Sequence, residues 1–148
     1  MKSIIKKSKY HEYLGFLAIL PFLIITLLCL LNKENHLKYL NITVFYLSII
    51  LSFIGASYWG ISLNTKNIKN KPVIFSVIPA ILVVFFYVLE ISVFLNLILC
   101  VFLMNIILLF EKYFFLAFIP KWYFKLRVTL NKLVTAIVFV IILITISY

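Results

Sequence analysis

Groups able to do chemistry are few in this chain, and their spacing keeps them apart. Catalysis needs acids, bases, nucleophiles or metal ligands held within reach of one another. Only four acids, two histidines and two cysteines occur among 148 residues. Cys29 and Cys100 lie inside apolar runs without metal-ligand spacing, so buried free thiols are expected, not a disulfide framework or redox pair. His11 and His36 fall at opposite edges of the first apolar region, which argues against joint haem ligation. Asn96 and Asn105, nine apart in one run, face different ways on a helix and do not form one site. Glu90 sits between two apolar runs, where a proton-relay role would need a buried partner that the sequence does not offer. Phosphate loops, nucleophile elbows and zinc motifs are absent. The expectation is no catalytic residue, no cofactor, no metal, and no enzyme.

Three further features have a chemical and a structural reading. Arg127 could hold an anionic head group or substrate, or it could bond helix-end carbonyls or Glu111. Pro21 and Pro79 each leave the carbonyl four residues back, at Leu17 and Phe75, without its usual partner and bend the helix. Two kinks at similar depth could open a small polar pocket, although prolines are ordinary in membrane helices. Ser48, Ser52, Ala56 and Gly60 recur at four-residue steps, with Gly55 alongside, a small-residue stripe that permits close backbone approach. It can serve packing within the chain or against a second copy.

The elements that carry these residues follow from composition. Hydrophobic residues make up 66% of the chain and charged ones 12%. A soluble domain of this length cannot hide so much apolar surface, so the excess must face lipid. Five stretches approach the roughly 20 apolar residues a bilayer core needs: 14–31, 42–63, 73–89, 91–110 and 133–148. Reading 73–110 as one helix gives about 57 Å at 1.5 Å per residue, nearly twice the hydrocarbon thickness. A tight turn at Glu90 is therefore predicted. Lys2, Lys6, Lys7 and Lys9 before the first run resemble a signal peptide, but the run is long and no small-residue cleavage site follows. A retained first span is expected.

A net charge of +10 would suggest nucleic acid in a soluble protein. Here the basic residues lie between spans, as orientation signals and head-group contacts do. Four precede the first span, three lie in the second loop and five between Glu111 and Lys132, against two on the other side. The positive-inside rule puts the N-terminus inside and the C-terminus outside. Within 111–132, Tyr113, Phe114, Phe115, Phe118, Trp122, Tyr123 and Phe124 alternate with basic residues. After Pro120, Lys121, Lys125 and Lys132 share one helical face, and Trp122, Leu126, Leu130 and Leu133 another. That pattern predicts an interfacial helix feeding the last span. The fold expected is thus all-α: a single polytopic helical bundle over 1–148, with five transmembrane helices and an interfacial helix between the fourth and fifth.

Four segments, in order, carry a resemblance: Leu14-Gly15-Phe16 through Pro21-Phe22, Ser52-Phe53-Ile54-Gly55-Ala56-Ser57-Tyr58-Trp59-Gly60, Ser76-Val77-Ile78-Pro79-Ala80, and Ile119-Pro120-Lys121-Trp122-Tyr123 with Leu126-Arg127 and Thr129. Together they resemble the transmembrane protein 69 family, domain of unknown function 3429, of bacterial inner membranes and mitochondria. The family often has His before the Trp-Gly pair, where this chain has Tyr58. The resemblance implies topology and an inner-membrane location, without an activity. Under the predicted orientation, Pro21, Tyr58, Trp59, Pro79, Trp122, Tyr123 and Arg127 fall in or near the cytoplasmic half, and one cluster on that face is expected. Two functions compete. The first is a non-enzymatic accessory, assembly or interaction protein, with membrane lipids and a larger inner-membrane complex, or a second copy, as partners and no nucleic acid. The second is a small carrier or lipid- or quinone-binding protein using the kinked first and third spans.

Overall fold

A computed structural model of the chain describes residues 9–63 and 71–147. Among them there is no strand. The helices are α1 (Lys9–Leu17), α2 (Leu20–Leu31), α3 (His36–Leu63), α4 (Lys71–Val88), α5 (Val93–Phe114) and α6 (Lys121–Ile146), with a short 3₁₀ turn at Lys33–Asn35. Four stretches are long and apolar enough to cross a bilayer: Lys9–Leu31, His36–Leu63, Val93–Phe114 and Lys121–Ile146. Ile74–Val88 is a shorter apolar helix. In the apolar 18-residue core of each long stretch, between 22% and 28% of the residues are buried. Most of their apolar surface is therefore turned outward, including Phe53, Leu63 and Phe139. Water would not tolerate that surface, and lipid does.

Local chemistry explains where the helices stop. Pro21 cannot donate to the turn before it, and the first apolar run breaks at Ala18–Ile19, leaving proline in the opening turn of α2. The Ile19 amide bonds Phe16 O at 3.0 Å across the break, and the Leu23 amide bonds Ile19 O at 3.3 Å. Between α4 and α5 the predicted turn is present. Glu90 adopts a left-handed φ of 49°, and Ser92 accepts the Leu95 amide at 3.4 Å as an N-cap. Pro79 stays inside an unbroken α4.

The structure corrects one sequence expectation. The segment 111–132 forms no separate interfacial helix. Residues through Phe114 finish α5, a turn follows, and Lys121 begins a helix that runs on to Ile146. Pro120, extended at φ −62° and ψ 140°, starts it. No Gly or Pro interrupts residues 121–146, so basic interface and apolar run become one element. Likewise α3 carries the apolar run 42–63 and extends back to His36. Hydropathy locates the lipid-facing part of a helix, whereas its ends are set by breakers and caps. The basic residues at 2, 6, 7, 66 and 69, on which the orientation rests, lie outside the described residues, as does Tyr148.

Two compact units are present, one comprising the chain through Tyr39 and from Asn105 onward, the other Leu40–Met104. In the first, α1 and α2 pack on α6. Phe22, Ile25 and Cys29 are buried on α2, and Leu126, Val134, Val138, Ile141 and Thr145 on α6, at the helical repeat. A Cβ on Gly15 would stand 3.0 Å from Leu130, so α1 and α6 approach closely there. In the second unit, α3 buries Leu40, Thr43, Leu47, Leu51 and Tyr58, and α5 buries Leu97, Cys100 and Leu103. Hydroxyls in the apolar stretches bond back to their own helices: Thr26 Oγ1 donates to Phe22 O at 2.8 Å, Ser48 Oγ to Val44 O at 2.8 Å, and Thr145 Oγ1 to Ile141 O at 2.8 Å. Inside lipid this removes polar groups that would otherwise lack a partner.

Candidate functional site

The polar groups of the first unit converge on the face where α6 meets the end of α5. Arg127, Asn131 and Thr135 follow one another at four-residue steps on α6, so they stack on one side. Arg127 Nη2 lies 3.0 Å from Glu111 Oε2, with the Glu111 side chain fully buried and Arg127 12% exposed. One turn and a half earlier on α5, Asn105 Oδ1 accepts Asn131 Nδ2 at 2.7 Å, and Asn105 Nδ2 donates to Thr135 Oγ1 at 3.3 Å. The result is a polar seam of two rungs, one ionic and one amide. Each group in it offsets the burial cost of its neighbour.

Aromatic rings frame the ionic rung. Arg127 Nη1 donates to Tyr123 Oη at 3.4 Å, and its guanidinium lies 5.9 Å from the Tyr123 ring centroid. Trp122 stands edge-on to Tyr123 at 5.9 Å and tilted against His11 of α1 at 5.5 Å. Trp122, Tyr123 and Arg127 thus share one neighbourhood with Glu111 and His11. The first unit also contains Pro21, which sets the α1–α2 break. Of the two readings open for Arg127, the geometry shows the pair with Glu111.

Tyr58, Trp59 and Pro79 belong to the second unit. There a Cβ on Gly55 would run into the Ser76 carbonyl oxygen and stand 3.3 Å from Pro79 Cγ. The Pro79 ring therefore seats against Gly55, an α3 position with no side chain. Tyr58 is 3% exposed and Trp59 50%. Of the stripe read as helix packing, Ser48 and Ser52 are half-buried, whereas Ala56 and Gly60 are exposed. Nothing lies within 4 Å of a Cβ on Gly60. Ser52, Ala56, Trp59 and Gly60 of α3 with Ser76 and Ala80 of α4 line an open groove of about 350 Å³. A second hollow of about 390 Å³, at the Glu90 turn, is lined by Asn41, Phe86, Glu90 and Asn96 among others. Cys100 Sγ donates to Asn96 Oδ1 at 3.4 Å. Cys29 and Cys100 are both free and buried.

Sequence reasoning missed Asn131 and Thr135 and set Asn105 aside. The four-residue spacing from Arg127 was a readable signal that α6 carries a polar face. Which helix that face meets was not readable.

Long apolar helices with outward hydrophobic surface, and a short polar seam tying two of them, define a helical membrane protein. Within that class the chain belongs to a family of proteins of unknown function, DUF3429, whose profile matches residues 8–147. No curated protein and no solved structure matches it.

Proposed function

We propose that the chain is a non-enzymatic accessory or assembly protein of an inner membrane, crossing the bilayer five times and working by packing against a partner complex. The observation that carries this reading is the open groove on the second unit. Ala56 and Gly60 leave backbone exposed, and Gly60 has no neighbour where a side chain would be. In lipid, where helices associate through close backbone packing and not hydrophobic exclusion, such a surface suits another helix. The charges of the seam are spent on one another, so they favour holding α5 to α6 over reaction chemistry.

The reading counts α4 as the fifth crossing, and its length supports this. α4 has 18 residues, about 27 Å at 1.5 Å per residue, close to a hydrocarbon core of roughly 30 Å. With α4 counted, twelve of the fourteen basic residues fall on one side of the membrane, and on this reading the N-terminus lies inside and the C-terminus outside. Bacterial inner and mitochondrial membranes both fit. The carrier or lipid- and quinone-binding alternative draws support from the break before Pro21, but Pro79 is seated on Gly55 instead of opening a pocket.

The test is purification in mild detergent followed by mass spectrometry of co-purifying proteins. A larger complex, lost when Gly60 or Ala56 is replaced by Leu, supports the reading, and a lone monomer defeats it. Labelling single cysteines placed at each terminus checks the crossings. Both termini in one compartment would rule out an odd number.

A further inference from the structure

The outward face of α6 changes character along its length in the same order as a phospholipid does. Lys121, Lys125, Thr129 and Lys132 are exposed at helical spacing, and the same face continues with exposed Ala136, Phe139, Val140 and Leu143. We infer that this face holds one anionic phospholipid, its phosphate between Lys125 and Lys132 and an acyl chain along Ala136 toward Leu143. The inference rests on the reading that α6 crosses a membrane.

Three observations support that occupant. The first is charge. Arg127 is neutralised by Glu111, while Lys121, Lys125 and Lys132 form no ion pair among the described residues. They are the cations of α6 left for an outside anion. The second is spacing. Lys125 and Lys132 stand seven residues, about 10 Å, apart along the axis, two turns on one face, with long stems able to bring both ammoniums to one phosphate. Thr129 lies between them and donates its hydroxyl proton to Lys125 O at 3.1 Å, so the residue between the two lysines is small and uncharged. The third is shape. Ala136 is the small residue of this face, and exposed Phe139 and Val140 stand on either side of the line from Ala136 to Leu143, so an acyl chain lying along that line meets apolar side chains on both flanks.

A head group carrying phosphate matches this face, and a zwitterionic head matches it less well, because its ammonium would meet two more. Each lysine near the surface strengthens anionic-lipid attraction by about fivefold. Raised salt screens such attraction, with a Debye length near 8 Å at physiological strength.

The experiment places the full chain in nanodiscs of phosphatidylcholine containing a minor share of phosphatidylglycerol, and reads the lipids retained after extraction into neutral detergent. Wild type should retain phosphatidylglycerol preferentially. Lys125→Gln/Lys132→Gln should lose that preference by an order of magnitude or more, and Lys125→Arg/Lys132→Arg should keep it. Lys112→Gln, off this face, should behave as wild type. Inorganic phosphate alone should raise the melting temperature of the protein in detergent far less than phosphatidylglycerol. Unchanged enrichment in the double Gln variant, equal loss in Lys112→Gln, or full replacement by inorganic phosphate would overturn the site. Loss of a co-purifying protein without change in lipid would overturn it too and assign the face to an acidic partner. Failure to enter neutral bilayers at all would refute the membrane reading itself, a result distinguishable from incorporation without lipid preference.

Discussion

Glu111 and Arg127 meet at 3.0 Å across the end of α5 and the start of α6, with the carboxylate wholly buried. Their mutual neutralisation lets two charges sit inside a helix pair. Removing one partner strands the other. Glu111→Ala should lower stability by about 3 kcal/mol, in the range for breaking a buried pair. Replacing both by leucine should cost much less, since no charge is left behind. Thermal unfolding in detergent, arranged as a double-mutant cycle, checks this. Additive losses would mean that the two side chains do not act together.

The amide rung is weaker. Asn131 donates to Asn105, which donates to Thr135, and hydrogen bonds between membrane helices average about 0.6 kcal/mol with a maximum near 1.7. Asn131→Ala is expected to cost about 1 kcal/mol, and Asn131→Leu with Asn105→Leu to be close to neutral. The same unfolding assay reads it.

Gly55 and Gly60 should respond in opposite ways to one methyl group. At Gly55 the added carbon meets the Ser76 carbonyl and the Pro79 ring, and at Gly60 it meets nothing. Overpacking of a tight contact costs about 1–3 kcal/mol, so Gly55→Ala should destabilise by that amount. Gly60→Ala should stabilise the isolated chain by about 0.5 kcal/mol through helix propensity. Melting temperatures moving the same way for both would show that the close approach is at another position.

Glu90 holds φ 49° at the turn between α4 and α5. A left-handed conformation costs an L-residue roughly 1–2 kcal/mol, and glycine adopts it freely. Glu90→Gly should therefore raise the melting temperature, while Glu90→Val should lower it more than Glu90→Ala does. A drop with glycine would mean that the carboxylate holds the turn.

Much of the helical outline was legible. Pro21 announced the break before α2, and the excessive length of an uninterrupted 73–110 announced the turn at Glu90, because proline geometry and bilayer thickness are local or one-dimensional constraints. Other boundaries were not. The lysines of α6 suggested a helix parallel to the membrane, yet backbone hydrogen bonding continues through them, and only a breaker would have separated the two. The stripe from Ser48 to Gly60 was visible as small residues, but the close contact occurs at Gly55, on a neighbouring face, because the position of Pro79 on α4 selects it.

From its residues alone, this chain was committed to long lipid-facing helices, since no water-soluble packing hides so many apolar side chains and every backbone polar group in lipid must be bonded within a helix. Tertiary structure decided which faces meet: that Arg127 is given to Glu111, that Asn105 finds Asn131, and that Gly60 is left open. Helical spacing groups side chains on a face, but only the packing of a second helix determines what that face touches.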